Sequence, residues 1–297
     1  MDQKRLVEDI TARLSRRFGP AVAAWCAAVP ALADEAAGRW RLVLGEAYPD
    51  GASSVALRCV QSDGTPAVLK LGPDPFFLAD QAQMLRLFVP GGKVPAVLAV
   101  DACAGAVLLE SIEPGTAADE LPRPPSALEW GDLVRALHCA VAPPGFPRDL
   151  RGRCDEFFAR IGRRLAEPHI GPRVRPADLD RGARRYGVLL ATALSQVLLH
   201  GDLHLGNVLD GGPARGLVAI DPRACVGDPC FDGVDYALDG AGHDGVGSRC
   251  TALAPAAGLD PDRLYAWCRA VAPIIAISRV GDPEKEQAVS ELLSLAQ

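Results

Sequence analysis

The stretch VLLHGDLHLGNVLDGGPARGLVAIDPRACVGDPCFD, residues 197–232, restricts the fold of this 297-residue chain more than any other part of it. An apolar run, Val197 to Leu199, delivers His200, Gly201 and Asp202 to a sharp turn. Asn207 follows, then a second apolar piece, Val208 and Leu209. The Asp210-Gly211-Gly212 turn reverses the chain, and Leu217 to Ile220 return as a strand that ends at Asp221. The pattern predicts a hairpin whose open end presents two carboxylates and a carboxamide.

That donor set suits a magnesium-nucleotide site. Mg²⁺ takes hard oxygen ligands, usually one or two carboxylates completed by phosphate oxygens and water. Phosphoryl transfer also needs a separate carboxylate beside the attacking hydroxyl. The spacing is as informative as the composition. Protein kinases use H-R-D-x-x-x-x-N followed by an Asp-Phe-Gly metal carboxylate. Here His200-Gly201-Asp202 precedes Asn207 at the same offset, and Asp221 comes after a short hairpin. Asp202 and Asp221 as simple turn and cap residues is the alternative reading.

The wording HGDLH, with IDP in place of DFG, resembles the aminoglycoside phosphotransferases. The longer GDLHLGNVL…AIDP…VGDPCFD resembles the aminoglycoside/hydroxyurea antibiotic-resistance kinases, a group that includes streptomycin 6-phosphotransferases. The resemblance runs from roughly Ala21 onward. It implies an α+β, protein-kinase-like fold. Residues 1–112 would form an N-terminal lobe with a small antiparallel sheet that binds nucleotide. Residues 113–297 would form a larger helical lobe with the catalytic loop, the metal and the acceptor. It further implies ATP and Mg²⁺, with Asp202 as catalytic base, Asn207 and Asp221 as metal ligands, and an antibiotic acceptor, streptomycin first.

Along the chain, residues 1–40 alternate charged and apolar groups at helical spacing, and Gly19-Pro20 divides them into two helices. Trp40 to Gly45, Val55 to Val60 and Ala67 to Leu71 predict a three-strand antiparallel meander. Its third strand carries Lys70, which matches the kinase lysine that holds the α- and β-phosphates; a surface lysine on an edge strand is the plainer alternative. YPDGASSVALR stands where kinases place a glycine-rich loop but has no G-x-G-x-x-G. Backbone amides near Ser53 and Ser54 would meet phosphates there, or the segment is an ordinary hairpin loop. On the helix predicted over 75–89, Asp80 is the carboxylate best aligned to pair with Lys70, though one methylene shorter than the kinase glutamate; a solvated helix face is the alternative. Two further strands, Ala96 to Val100 and Ala106 to Leu109, lead into LLESIEPG. That segment resembles the linker whose backbone meets adenine, with Ser111 and Glu113 at the contact positions; an ordinary strand-to-loop exit is the alternative.

Helices then dominate, over 127–141, 155–166, 179–195, 232–238, 260–277 and 284–295. Asp260-Pro261-Asp262 is a helix-start signal. His204, two residues after Asp202, would bond the γ-phosphate or Asp202, or else tie the loop to backbone carbonyls. His200 is read as a brace of the loop. Asp232 resembles a carboxylate that ties the catalytic loop down, a position that helix N-capping also explains. Asp228, Asp235 and Asp239 would bind ammonium or guanidinium groups of the acceptor, or simply face solvent. His138 suits a cap or a core position.

Composition narrows the classes. The net charge of −6 argues against a nucleic-acid phosphate binder. The nine cysteines include no CxxC pair, and MDQKRLVEDI has no apolar core of a leader peptide, so free thiols in a reducing cytoplasm are expected. Cys225 and Cys230 lack the further ligands that a zinc site needs. No run approaches a membrane span. Three other readings remain open at this level: a kinase for a peptide antibiotic, hydroxyurea or another metabolite; a protein kinase, against which stands the lack of an Ala-Pro-Glu motif after Asp221; and a non-catalytic nucleotide-binding regulator.

Overall fold

The computed structural model describes residues 3–49, 51 and 53–297. Asp50 and Ala52, within the segment expected to face phosphate, lie outside the described residues. The chain divides into two compact units, one of residues 1–89 with 94–115 and one of 90–93 with 116–297.

The first unit opens with α1 (Gln3–Phe18) and α2 (Ala23–Trp40). The break between them is a short 3₁₀ turn, Pro20–Val22, entered through Gly19 at φ 74°, a left-handed value that suits glycine. Strands β1 (Leu42–Ala47), β2 (Val55–Gln61) and β3 (Pro66–Leu71) form the expected meander. Helix α3 (Pro75–Phe88) follows, N-capped by Asp74, whose side chain accepts from Phe77 N–H. Then come β4 (Val97–Asp101) and β5 (Ala106–Glu110). The five strands form one antiparallel sheet in the order β1-β2-β3-β5-β4. Pairing of β5 with β3 puts Val107 opposite Lys70.

Period determines which faces meet. On α1, Leu6, Ile10 and Leu14 recur every four residues and are buried. On β2, Val55, Leu57 and Cys59 alternate inward. These side chains join Cys26, Val29 and Ala33 of α2 in one apolar cluster with Leu69, Leu71 and Leu108. The sheet that carries Lys70 is therefore backed by the helix pair, which fixes the strand's register.

In the second unit, α4 (Ala127–His138), α5 (Leu150–Gly162) and α6 (Pro176–Ala191) precede the central stretch. That stretch comprises β6 (Val197–Leu199), β7 (Val208–Asp210), a one-turn helix α7 (Gly212–Arg215), β8 (Leu217–Ala219) and β9 (Cys225–Gly227). Four helices complete it: α8 (Val234–Asp239), α9 (Val246–Ala257), α10 (Pro261–Arg279) and α11 (Glu286–Leu295). Helix α9 is an addition to the sequence reading. Asp260 caps α10 as the sequence indicated, accepting from Arg263 N–H at 2.9 Å.

Helices α4 and α9 pack closely at Gly131, where a Cβ would lie 2.6 Å from the Ala256 carbonyl carbon. Trp130, Leu133 and Leu137 form the buried face of α4. Among the described residues, no helix is long and apolar enough to cross a membrane.

Candidate active site

Two small antiparallel pairs carry the catalytic stretch. β7 pairs with β8, placing Val208 opposite Ala219, and a further bond from Ile220 N–H to Asn207 O (2.9 Å) extends the ladder to the hairpin's open end. The reversal is made by the turn of α7 rather than by Asp210-Gly211-Gly212 alone. β6 pairs with β9, so the chain enters the loop at His200 beside the strand that leaves it. Gly201 turns the loop at φ 76°, and a Cβ there would sit 2.4 Å from Arg223 O. The glycine of HGD is thus required both by its dihedral and by the close approach.

Asp232 anchors this loop. It is 2% exposed and its two oxygens accept from His200 N–H (2.8 Å) and Gly201 N–H (2.9 Å). His138 Nε2, from α4, reaches the same carboxylate at 3.1 Å, which assigns the proton to that nitrogen. Burial pushes the Asp232 carboxyl up, but the His138 hydrogen bond, the electrostatic influence of the His138 and His200 rings and the Gly201 N–H outweigh it, so the group lies below the usual carboxylate range. Asp232 does not cap α8, whose N-cap is Gly233; Asp228 makes the local cap instead, accepting from Cys230 N–H. His200 is fully buried, and burial lowers its pKa and holds the ring neutral. Its Nε2 meets Ile220 O at 3.0 Å, and its own carbonyl accepts from Arg223 N–H at 2.8 Å. The two halves of the hairpin's open end are therefore tied together through His200.

Asp202 stands at the loop's apex with its side chain 30% exposed. Its carbonyl accepts from Asn207 Nδ2 at 2.9 Å. That bond uses the amide nitrogen of Asn207 and directs Oδ1 elsewhere. Asp221, half-buried, holds φ 58°, one of two described non-glycine residues with positive φ. Aspartate tolerates this region better than most residues, and strain of this kind gathers at functional sites. An amide oxygen and a carboxylate at one hairpin end are hard donors that fit Mg²⁺. No cluster of three or more His, Cys, Asp or Glu side chains suited to a metal occurs among the described residues, so phosphate oxygens and water would have to complete such a shell. Cys225 and Cys230 are buried thiols, raised by desolvation, Cys230 to about 12.

A residue that sequence reasoning missed holds Asp202 itself. Arg153, buried on α5, donates from Nη2 to Asp202 Oδ1 at 2.6 Å and from Nε to Gly201 O at 2.8 Å. Arg223 Nε lies 4.0 Å from Asp202 Oδ2, and its Nη1 is 3.9 Å from Glu156. Nothing in the RGRCDEF wording around Arg153 signals this role.

His204 is exposed; its backbone N–H bonds Asp202 O at 3.1 Å, and its carbonyl accepts from Asn207 N–H. Asp235 senses the same neighbourhood. Its carboxyl is pushed up to about 6, first by burial, with Asp202 and Asp232 adding to the shift and His204 and Arg153 opposing it.

Two of the three carboxylates expected to hold the acceptor are otherwise engaged. Asp228 is 1% exposed, takes Trp267 Nε1 at 2.7 Å and Arg263 Nε at 2.5 Å, and is a structural anchor of α10. That overturns its expected substrate contact, because no face of the carboxylate remains open to a ligand. Asp239 lies 3.4 Å from Arg279 and 4.0 Å from Arg249, so its charge is shared with the chain's own guanidiniums.

In the first unit, Lys70 is 7% exposed, and its Nζ donates to Gln81 Oε1 at 3.4 Å. Gln81 lies on the buried face of α3 with Leu78, Ala82 and Leu85, and Asp80 is its half-buried neighbour. Ser54 is buried and Ser53 half-buried, both just before β2. Ser111 Oγ donates to Glu113 Oε1 at 2.9 Å.

A five-stranded antiparallel sheet bearing a buried lysine, and a helical unit bearing an Asp-x4-Asn loop and a following aspartate, define a kinase-like phosphotransferase of α+β fold. The chain is a member of the aminoglycoside/hydroxyurea antibiotic resistance kinase family, whose pattern matches residues 39–281. It is 32% identical over 286 residues to a streptomycin 6-kinase of Streptomyces glaucescens, covering 90% of this chain and 89% of that protein. It is 31% identical over 267 residues to a hydroxyurea phosphotransferase of Kitasatospora aureofaciens, covering 86% and 76%. Among solved structures, choline kinase LicA of Streptococcus pneumoniae shares the fold at a TM-score of 0.64 and 13% identity, covering 90% of this chain and 97% of that one.

Proposed function

We propose that the protein transfers the γ-phosphoryl group of ATP to a hydroxyl of an antibiotic, with streptomycin as the leading acceptor. The reading is supported above all by one observation: Asp202, held by Arg153 at one carboxylate oxygen, shares a braced loop with Asn207. In this reading Asp202 orients the acceptor hydroxyl. The acceptor oxygen bonds to the γ-phosphorus, the bond from that phosphorus to the β,γ-bridging oxygen breaks, and the hydroxyl proton passes late to Asp202. Asn207 and Asp221 would hold Mg²⁺, which neutralises charge on the phosphates. Lys70 would meet the α- and β-phosphates as a compact cation, positioned by its bond to Gln81, with Asp80 as the neighbouring carboxylate proposed to pair with it. Ser53, Ser54 and His204 would meet the phosphates, and Ser111 and Glu113 would meet the base. The loose transition state makes positioning the main contribution of these residues.

A second acceptor class is favoured by a separate observation. A guanidinium-bearing acceptor needs unclaimed carboxylates, yet Asp228 is buried under Trp267 and Arg263, and Asp239 faces Arg279 and Arg249. Asp235 alone of the three remains beside Asp202 without a guanidinium ion pair of this kind. A small uncharged hydroxylated compound such as hydroxyurea demands fewer carboxylates. The test is ADP release in a coupled assay with MgATP across streptomycin, other aminoglycosides, peptide antibiotics, hydroxyurea and simple alcohols. Turnover stimulated by streptomycin supports the first reading, and stimulation by hydroxyurea alone supports the second. ADP release that no hydroxylated compound stimulates would overturn both.

A further inference from the structure

Asp202 has two carboxylate oxygens, and the chain treats them differently. Oδ1 receives Arg153 Nη2 at 2.6 Å, a charge-assisted bond at the short end of its range. Oδ2 faces Arg223 Nε at 4.0 Å, too far for a hydrogen bond. The same guanidinium of Arg153 also donates from Nε to Gly201 O at 2.8 Å. One rigid planar fork therefore grips two consecutive residues, the carbonyl of the loop's left-handed glycine and the side chain of the next residue. Arg153 is itself held. Its side chain is 7% exposed and its guanidinium lies 5.4 Å from the Phe157 ring centroid, within the range of cation–π attraction. Arg160 lies over the same ring at 5.6 Å.

We infer that Arg153 is a positioning residue for phosphoryl transfer: it fixes the Asp202 rotamer by engaging Oδ1, so that Oδ2 is the oxygen that meets the acceptor hydroxyl and takes its proton. The inference rests on the reading of Asp202 as the proton acceptor. An aspartate free to rotate about χ1 and χ2 would offer either oxygen, in many orientations, to the hydroxyl. The two-point grip removes that freedom before substrate arrives, and such pre-organisation accounts for much of what a positioned base contributes. Only arginine supplies it. A lysine at 153 keeps the positive charge but has a single nitrogen and no fork, so it cannot serve Gly201 O and Asp202 Oδ1 in one plane.

The test uses the full chain as wild type, Arg153→Met, Arg153→Lys, Asp202→Asn and the double variant Arg153→Met/Asp202→Asn. ADP release from MgATP is measured with streptomycin and with no acceptor, where water takes the hydroxyl's place, and thermal melting checks folding. The expected result for Arg153→Met is a kcat lower by on the order of 10²-fold, as for an ångström-scale misplacement of a reacting group. The KM for ATP stays within about twofold, because nucleotide binding does not use Arg153. Arg153→Lys recovers only a small part of the lost rate. The double variant is no slower than Asp202→Asn alone, since a residue that acts through Asp202 has nothing left to position.

Near-normal kcat in Arg153→Met, full recovery in Arg153→Lys, or a further loss in the double variant that adds to the Asp202→Asn loss would each overturn the inference. Where Arg153→Met fails to fold, Arg153→Lys and its double with Asp202→Asn carry the same comparison. A wild type that releases no ADP under any condition would overturn the proposed phosphotransferase function itself. An active wild type with indifferent Arg153 variants would overturn only the positioning role.

Discussion

Replacing Asp232 by asparagine tests whether the catalytic loop is held by a buried charge. The carboxylate accepts three hydrogen bonds, from His200 N–H at 2.8 Å, Gly201 N–H at 2.9 Å and His138 Nε2 at 3.1 Å. Asparagine has nearly the same shape but offers one oxygen. If that oxygen replaces Oδ2, it keeps His200 and His138, and the new NH₂ faces Gly201 N–H. If it replaces Oδ1, two donors lose their partner. Even the better orientation leaves one backbone N–H and one amide NH₂ without an acceptor in a site that is 2% exposed. At about 1–3 kcal/mol for each buried unsatisfied group, the expected loss of stability is roughly 2–6 kcal/mol. In a chain of this size each kcal/mol lowers the melting temperature by about 2–4 °C, so scanning calorimetry should register a fall on the order of 10 °C. Turnover should also fall, because the HGD turn is no longer pinned. The wild type carries a matching acid signature. The Asp232 carboxyl is depressed in the folded protein, so its contribution is complete above the unfolded value of about 4 and is lost as the pH falls through the lower folded value. A melting temperature within a degree or two of wild type, about what a surface substitution produces, would show that Asp232 does not hold the loop.

Gly201→Ala should damage both folding and turnover, since the new Cβ meets Arg223 O at 2.4 Å and the residue sits at φ 76°; a variant with wild-type melting and rate would show that the loop yields freely. Asp221→Ala should weaken MgATP far more than metal-free ATP by titration calorimetry, because it removes a hard oxygen donor; equal weakening of both would assign Asp221 a structural role. If Asp235 contacts a cationic acceptor, the KM for streptomycin should fall as the pH rises through about 6, where its raised carboxyl ionises. The carboxylate gains charge above that pH, so binding tightens upward. Asp235→Asn should flatten the trend, and an unchanged trend in that variant would remove Asp235 from the acceptor site.

The hairpin of β7 and β8 and the strand bearing Lys70 were legible because both are local patterns. Alternating or continuous apolar residues bounded by turn residues encode them directly. The order of the sheet was not legible. Insertion of β5 beside β3, with β4 at the edge, follows from a non-local pairing that no window of sequence contains. Gln81 is legible in the periodicity, because it falls on the buried Leu78, Ala82, Leu85 stripe of α3, whereas the charge of Asp80 alone does not indicate which neighbour reaches Lys70. Arg153 was beyond reach, 49 residues before Asp202 on another helix and without any motif around it. Asp228 shows the reverse limit. A carboxylate in a glycine-proline context reads as exposed, and only the fold reveals Trp267 and Arg263 closing over it.

In the proposed reaction Asp202 serves as the base in phosphoryl transfer. The most direct measurement compares wild type with Asp202→Asn, following phosphorylated acceptor by mass spectrometry alongside nucleotide affinity by calorimetry. Asparagine keeps the size of the side chain and an oxygen for Arg153, but it cannot take the hydroxyl proton. The expected result is a kcat lower by on the order of 10²-fold or more, with MgATP affinity nearly unchanged. Acceptor phosphorylation by Asp202→Asn at close to the wild-type rate would contradict it.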